Sequence, residues 1–224
     1  MPDSPNGIHV VARVDRTKGT GAFLYVTPLN AAALAAAGPV AGGEYTVRVR
    51  RSAGPAIDYP AAFRKDACGD PADDDTGSVE LTVPNDAKAV ALDLLRGAAV
   101  LATFNPGGEP PEPTNVRSAA APGAGPALAA AQGRPTRPKV AWTPAPAAGG
   151  AALLGAAGPG PVYAVQVSTD DGVTWRTVGV GLATPEASLD PHLFEGKDTV
   201  RVRVIASNGF RTKTTDQTLA VKDL

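Results

Sequence analysis

The sequence predicts an all-β protein that consists of two antiparallel β-sandwich domains in tandem. Apolar residues recur at every second position, which places successive side chains on opposite faces of a sheet, and helical periodicity is almost absent. Many short strands separated by turns are typical of a sandwich rather than of a βαβ fold. The chain has 224 residues, a length that fits two domains of roughly 110 residues better than one. We place the domains at 1–106 and 114–224, with a linker at 107–113.

The first domain is expected to contain six or seven short strands. The clearest is 45–50, where tyrosine and valine side chains would face the core while Thr46, Arg48 and Arg50 face water. A similar alternation at 8–14 predicts the first strand. The other alternating runs are 23–26, 79–83, 90–94 and 98–104, the last two joined by a tight turn at Arg96-Gly97.

One stretch of the first domain favours a helix instead. From Asn30 to Pro39, an N-cap residue precedes a run of alanine and leucine, and a Gly-Pro pair follows it. We predict at most one short helix, near 30–37, inserted between strands. An alanine-rich connection is the alternative, because a helix this short is not stable without packing.

The linker is predicted from its prolines. Residues 107–113 read Gly-Gly-Glu-Pro-Pro-Glu-Pro, a composition that favours an extended, semi-rigid backbone. A second segment rich in proline, glycine and alanine, 119–133, either prolongs the linker or contains an irregular first strand of the next domain. We favour the strand, with Asn115-Val116-Arg117 beginning it.

The second domain is expected to contain about seven strands. Residues 162–168 alternate cleanly, Thr169-Asp170-Asp171-Gly172 is a hairpin signal, and the chain returns through 174–178. The valines at 200, 202 and 204 would face the core, with Arg201 and Arg203 outward. The remaining predicted strands are 115–117, 139–142, 187–189 and 214–221, and 190–194 would cross between the two sheets.

Three runs in the second domain carry a resemblance to a known family. They are Tyr163-x-Val165-x-Val167-Ser168-x-Asp170-Asp171-Gly172-x-Thr174-Trp175, the return from Leu182 to Leu189, and Val202-Arg203-Val204-Ile205-Ala206-Ser207-Asn208-Gly209-Phe210. Together they resemble the fibronectin type III and related immunoglobulin-like domains of bacterial surface and secreted enzymes, over residues 112–224. The resemblance implies a sandwich fold, a core tryptophan at Trp142, and a place at the carboxyl end of a peptidase or glycosidase.

The chain departs from this family at one position. Val200 stands where the family often has a tyrosine, so the usual tyrosine-corner hydrogen bond is not expected. Residues 44–49 would form a strand equivalent to one in the second domain. The first domain would then be a diverged relative of the same family.

Charge and segment composition exclude some classes of partner. The chain carries 21 basic and 22 acidic residues, so it lacks the dense positive field that nucleic acid requires. No apolar run reaches the roughly 18 residues that span a bilayer, and the amino terminus lacks the pattern of a signal peptide. Met1 is the only methionine, which favours a segment cut from a longer exported protein; an ordinary start codon is the alternative.

Few residues suggest catalysis. The two histidines are His9, expected on the outer face of the first strand, and His192; Cys68 is a lone thiol expected in a loop. The sequence has no zinc-binding helix motif, no cysteine pair and no phosphate loop. Ser188, Asp190 and His192 are the residue types of a triad, but three side chains within five residues would not converge on one point. We therefore expect no enzyme, no catalytic residue and no cofactor.

Two sets of residues are candidate ligand sites. Asp70, Asp73, Asp74 and Asp75 form an acidic cluster with oxygen ligands of the kind that calcium takes, although the spacing is not that of an EF-hand and a solvated loop is the alternative. Arg48, Arg50, Arg201 and Arg203 are expected on outer strand faces, where an anionic glycan or an acidic protein could bind. The alternative is that these arginines only maintain solubility and prevent unwanted strand pairing.

We expect a non-catalytic accessory region of a larger exported bacterial protein, located at the cell surface or outside the cell, that acts as a spacer, a stabiliser or a protein-binding surface. The alternative is a carbohydrate- or cell-wall-binding module of a secreted peptidase or glycosidase, using Trp175 or Tyr59. Aromatic residues make up only 5% of the chain, which leaves few rings for that role. An independent hydrolase would need two sequence-distant carboxylates that meet in a cleft.

Overall fold

The structure is a computed structural model that describes residues 7–29, 43–65, 75–119, 137–144 and 161–224. These residues form two compact units, the first made mainly of residues up to Gly107 and the second mainly of residues from Gly108 onward. The predicted helix at 30–37 and the segment 119–133, apart from its first residue, lie outside the described residues. Both units are antiparallel β-sandwiches, so the all-β tandem fold is confirmed.

The described part of the first unit contains eight strands. They are β1 (Gly7–Asp15), β2 (Thr20–Leu29), β3 (Tyr45–Arg51), β4 (Ile57–Ala61), β5 (Phe63–Lys65), β6 (Thr76–Pro84), β7 (Ala89–Arg96) and β8 (Ala99–Phe104). One sheet has the order β2-β1-β6-β5 and the other β4-β3-β7-β8. The strands β4 and β5 were not predicted, because Pro60 interrupts the first and the second is too short to show alternation.

The described part of the second unit contains seven strands. They are β9 (Pro113–Ala119), β10 (Lys139–Pro144), β11 (Val162–Ser168), β12 (Arg176–Leu182), β13 (Glu186–Ser188), β14 (Thr199–Ser207) and β15 (Thr212–Ala220). They form the sheets β13-β10-β9 and β12-β11-β14-β15. A 3₁₀ turn at Pro191–Phe194 lies between β13 and β14, on the predicted crossing. Seven strands in two sheets match the immunoglobulin-like sandwich that the resemblance implies.

Each unit has its own apolar core, built by the inward residues of its strands. The predicted inward side chains of β1, β3 and β14 are all buried, at most 1% exposed, which confirms the orientation of these strands. In the second core the rings of Trp142 and Tyr163 meet edge to face at 5.2 Å between centroids. Val200, at the tyrosine-corner position, is buried in the same core. Burying a side chain such as valine contributes about 1.5–3 kcal/mol relative to exposing it.

The two units agree in the position of one strand of their first compared sheet and differ in the order of the first two strands of the other sheet. β3 and β11 each lie second in a four-stranded sheet, and each begins its core face with a buried tyrosine, Tyr45 or Tyr163. In the other sheet, β1 lies inside its sheet with β2 at the edge, whereas β9 lies at the edge with β10 inside. The first two strands therefore exchange places between the units.

Candidate binding surface

Four strands of the second unit contribute one row of polar side chains to the outer face of the β12-β11-β14-β15 sheet. Gln166 in β11 lies opposite Arg203 in β14, which lies opposite Asp216 in β15. Thr177 in β12 lies opposite Gln166 on the other side. The valines on either side of Gln166 and of Arg203 are buried, so strand alternation directs this row to the outer face.

Arg203 and Asp216 form a two-point ion pair. Nε of Arg203 donates to Oδ1 of Asp216 at 2.7 Å, and Nη2 donates to Oδ2 at 2.9 Å. The two side chains are 26% and 22% exposed, so solvent screens this pair less than a fully exposed one. The hydrogen bonds from Arg203 hold the pKa of the Asp216 carboxyl below its usual value, although burial opposes the shift. The same bonds raise the pKa of Arg203.

Trp175 lies immediately before β12, and its indole ring stacks on the Arg203 guanidinium. The distance from Cζ of Arg203 to the ring centroid is 3.9 Å, within the range in which a cation is attracted to an aromatic face. The ring stays partly exposed. Within the described ranges, no second ring or cation stacks on it. Asp216 therefore fixes Arg203, and Arg203 in turn supports Trp175.

A second arginine joins the row to the neighbouring hairpin loop. Nη1 of Arg201 donates to the backbone oxygen of Asp171 at 3.2 Å, and Nη2 donates to Oδ2 of Asp216 at 3.4 Å. The Asp171 carboxylate lies 3.7 Å from Nη1 and is 95% exposed. We call the following five side chains the Trp175 surface: Gln166, Trp175, Arg201, Arg203 and Asp216.

The loop that precedes Trp175 turns where the sequence predicts it. Asp171 and Gly172 have positive φ angles of 57° and 89°, and the amide of Val173 donates to the backbone oxygen of Asp170 at 3.3 Å. Two successive residues with positive φ, the second a glycine, are the features of a type I′ turn. The prediction of a hairpin turn at 169–172 is confirmed.

Side-chain hydrogen bonds hold the same loop. The Asp170 carboxylate accepts bonds from the hydroxyl and the amide of Thr174 and from the hydroxyl of Ser168. These bonds, that of the Thr174 hydroxyl first, lower the pKa of Asp170 to about 2. The carboxylate therefore stays ionised at all ordinary pH values, and the loop that leads to Trp175 is fixed locally.

The first unit carries a corresponding row on the outer face of the β4-β3-β7-β8 sheet. Arg48 lies opposite both Asp58 and Asp93, and Asp93 lies opposite Thr103. Arg48 donates to Asp58 at 2.7 and 2.9 Å and lowers the pKa of its carboxyl. The Thr103 hydroxyl donates to Asp93 at 2.7 Å, and Nε of Arg50 lies 3.0 Å from the same carboxylate.

The four arginines predicted on outer faces lie there, and each is paired with a carboxylate. In the first unit Arg48 and Arg50 face two aspartates, a formal charge of 2 − 2 = 0. In the second unit Arg201 and Arg203 face Asp216 and Asp171, again 2 − 2 = 0. An anionic ligand would meet hydrogen-bond donors without a net positive charge. That such a ligand binds there stays a prediction.

The acidic cluster is described only in part. Asp70, Asp73 and Asp74 lie outside the described residues, as does Cys68. Asp75 accepts a bond from the Thr17 hydroxyl through its carboxylate, and one from the amide of Arg16 through its backbone oxygen. Within the described ranges no three His, Cys, Asp or Glu side chains are grouped to hold a metal ion. Calcium binding by the cluster stays a prediction.

The two histidines have local partners. Nε2 of His9 lies 3.5 Å from Glu80 on the outer face of β1, a strand inside its sheet rather than at an edge. His192 pairs through Nδ1 with Glu195 at 2.6 Å, which raises its pKa. The Asp190 carboxylate caps the following turn by accepting a bond from the amide of His192. His192 is thus paired with Glu195 rather than with Ser188.

Of Trp175 and Tyr59, the two candidate rings for glycan binding, only Trp175 contacts a polar row, through Arg203. Tyr59, in β4, packs against the core of the first unit, and burial raises its pKa. Gln166 and Asp216 belong to the Trp175 surface but were not predicted, because their positions depend on strand register. No helix within the described ranges has the length and apolarity to cross a membrane.

Comparisons with known proteins identify no family. No protein-family model matches the chain, and no curated protein matches it. Solved structures that match include a cytokine receptor complex, with a TM-score of 0.31 and 16% identity over 80% of this chain and 87% of that one. The FN1–FN3 domains of chicken CNTN1 give 0.32 and 13%, over 80% of this chain and 57% of that one. A set of titin domains gives 0.31 and 10%, over 97% and 60%.

TM-scores this low support no argument about fold or function. The sandwich architecture of both units rests on their own strand pairing.

Proposed function

We propose that this chain is a non-catalytic binding region of a larger exported bacterial protein, and that it binds through the Trp175 surface. The observation that supports the proposal most is the mutual fixing of these side chains. Asp216 holds Arg203, Arg203 supports Trp175, and Arg201 bridges Asp216 to the hairpin loop. Side chains that are already fixed lose little conformational entropy when a ligand binds, so more of the contact energy appears as affinity.

The carboxylates of Asp58 and Asp216 favour binding over proton transfer. A general acid or base needs a pKa near the working pH, whereas the pKa values of Asp58 and Asp216 are lowered by their arginine partners. Each stays ionised and serves as a fixed acceptor. The same proposal includes a role as spacer or stabiliser beside a peptidase or glycosidase domain, and a location at the cell surface or outside the cell.

A matched pair of variants tests this proposal. Arg201→Gln changes the Trp175 surface, and Arg48→Gln makes the same change in the row of the first unit; the wild-type side chains are 36% and 41% exposed. The purified chain would be screened on protein and glycan arrays. We expect that hits weaken with Arg201→Gln and with Trp175→Ala but not with Arg48→Gln. Ligands that bind Arg201→Gln and Trp175→Ala as tightly as the wild type would contradict the proposal. Turnover of a substrate that a single carboxylate or histidine substitution abolishes would contradict it as well.

A further inference from the structure

The Trp175 surface has more hydrogen-bond donors than its own acceptors use. Arg203 has five N–H donors; two of them go to Asp216, and the other three have no acceptor among the residues that the structure describes. Arg201 likewise donates one bond to Asp171 and one to Asp216, which leaves three more donors without an acceptor in the described part of the chain. These unused N–H groups suit a ligand that is rich in oxygen acceptors.

Charge narrows the class of ligand. Because Arg201 and Arg203 are balanced by Asp216 and Asp171, the donors are not accompanied by the excess positive charge that selects phosphate, sulfate or carboxylate groups. Uncharged oxygens, those of hydroxyl and ether groups, fit such a surface. A protein partner is favoured less. Trp and Arg are enriched at protein interfaces, but the cores of those interfaces are depleted of charged residues, and three of these five side chains are charged.

The indole of Trp175 favours a ligand that also has an apolar face. Trp175 is partly exposed, and Arg203 covers one face of its ring. An indole beside planar polar side chains matches a pyranose, which has apolar C–H faces and hydroxyl groups around its rim. Gln166 contributes an amide whose Nε2 donates to Thr177 at 3.3 Å, and its carbonyl oxygen can accept a bond from a sugar hydroxyl.

We infer that the Trp175 surface binds an uncharged oligosaccharide, an inference that rests on the proposed function of this surface. A sugar ring stacks on Trp175, and hydroxyl and ring oxygens accept bonds from Arg201 and Arg203. Asp216 keeps the two guanidinium groups in place and does not itself need to contact the sugar.

Tryptophan fluorescence reports on this surface selectively. The chain has two tryptophans; Trp142 is 3% exposed in the core, so a sugar at the surface would change mainly the emission of Trp175. The protein would be titrated with uncharged β-1,4-linked hexasaccharides of glucose, xylose, mannose and N-acetylglucosamine, with calorimetry in parallel. Oligogalacturonate and a sulfated heparin hexasaccharide are the charged comparisons.

We expect at least one uncharged hexasaccharide to bind and the charged ones to bind no better. Trp175→Ala should weaken binding at least tenfold, and Arg201→Gln by roughly fivefold, the loss of one or two hydrogen bonds. Trp175→Phe should retain part of the affinity, and Arg48→Gln all of it. Trp142 emission confirms in each variant that the second unit is folded.

The outcomes separate the inference from the proposed function. If no uncharged hexasaccharide binds while a protein or a charged glycan binds in a Trp175-dependent manner, the inference is wrong and the proposed binding surface stands. If sugars bind to Trp175→Ala and Arg201→Gln as tightly as to the wild type, both the inferred sugar site and the proposed binding surface are wrong.

Discussion

Replacing Asp216 with asparagine tests whether the Arg203–Asp216 pair holds the outer face of the second unit together. The substitution keeps the shape of the side chain and removes the charge that accepts bonds at 2.7 and 2.9 Å. Hydrogen bonds to charged groups contribute about 1.5–3 kcal/mol, whereas a fully exposed pair contributes about 0.2–1 kcal/mol. Because the side chains are 26% and 22% exposed, we expect Asp216→Asn to lower the free energy of unfolding by about 2 kcal/mol.

The assay follows tryptophan fluorescence during thermal and urea unfolding. Both tryptophans lie in the second unit, so this signal reports on that unit rather than on the whole chain. For a domain of about 100 residues, 2 kcal/mol corresponds to a fall in Tm of roughly 8 °C. A double-mutant cycle with Arg203→Met should give a coupling energy of about 1–2 kcal/mol. A coupling below about 0.3 kcal/mol would mean that the pair behaves as an ordinary surface contact and does not hold the outer face together.

The same pair predicts a pH dependence of fixed sign. The pKa of Asp216 is lower in the folded protein than its usual value of 3.8. The stabilisation is therefore fully present above pH 3.8 and is lost as the pH falls through the folded pKa. The difference in unfolding free energy between wild type and Asp216→Asn should be constant near neutral pH and shrink below pH 3.8. A difference that grows on acidification would contradict the assigned sign.

Three further predictions concern other parts of the chain. Gly77→Ala should destabilise the first unit by about 1–3 kcal/mol, because an added Cβ would lie 2.4 Å from the backbone oxygen of Arg64. Unfolding curves of the first unit that are the same for Gly77→Ala and the wild type would refute this. The carboxyl of Asp170 should titrate near pH 2 by NMR, and Asp170→Asn should speed amide exchange in the hairpin loop; unchanged exchange would oppose the assigned role. If the cluster at 70–75 binds calcium, millimolar calcium should raise the Tm of the first unit, and no shift would exclude the site.

Strand orientation followed from the sequence because it depends only on local covalent geometry. In β3 and in β14 every second side chain is apolar, and the structure buries those side chains and directs the arginines outward. Length and turn signals decide where such a strand ends, so β11 and its hairpin were predicted closely. Strands without this signal, such as β4 with its proline, were missed.

The candidate surface was predictable only in part, because it depends on which strands meet and in what register. Arg201, Arg203 and Trp175 were recognised as outward or exposed, but their partners were not. The pairing of β14 with β15 depends on the length of the loop between them, which strand alternation does not give. The loop has four residues, between Ser207 and Thr212, and this length places Arg203 opposite Asp216.

Alternation along the chain was enough to predict that this protein is made of strands, which side chains of β1, β3 and β14 face a core, and that two such domains follow one another. Alternation has a period of two along any extended chain, so it needs no knowledge of neighbours. The tertiary structure alone decided that β1 rather than β2 lies inside its sheet, and that the outward arginines meet aspartates from other strands. Strand order and register are set by packing between residues far apart in the chain, and charge pairing follows from them.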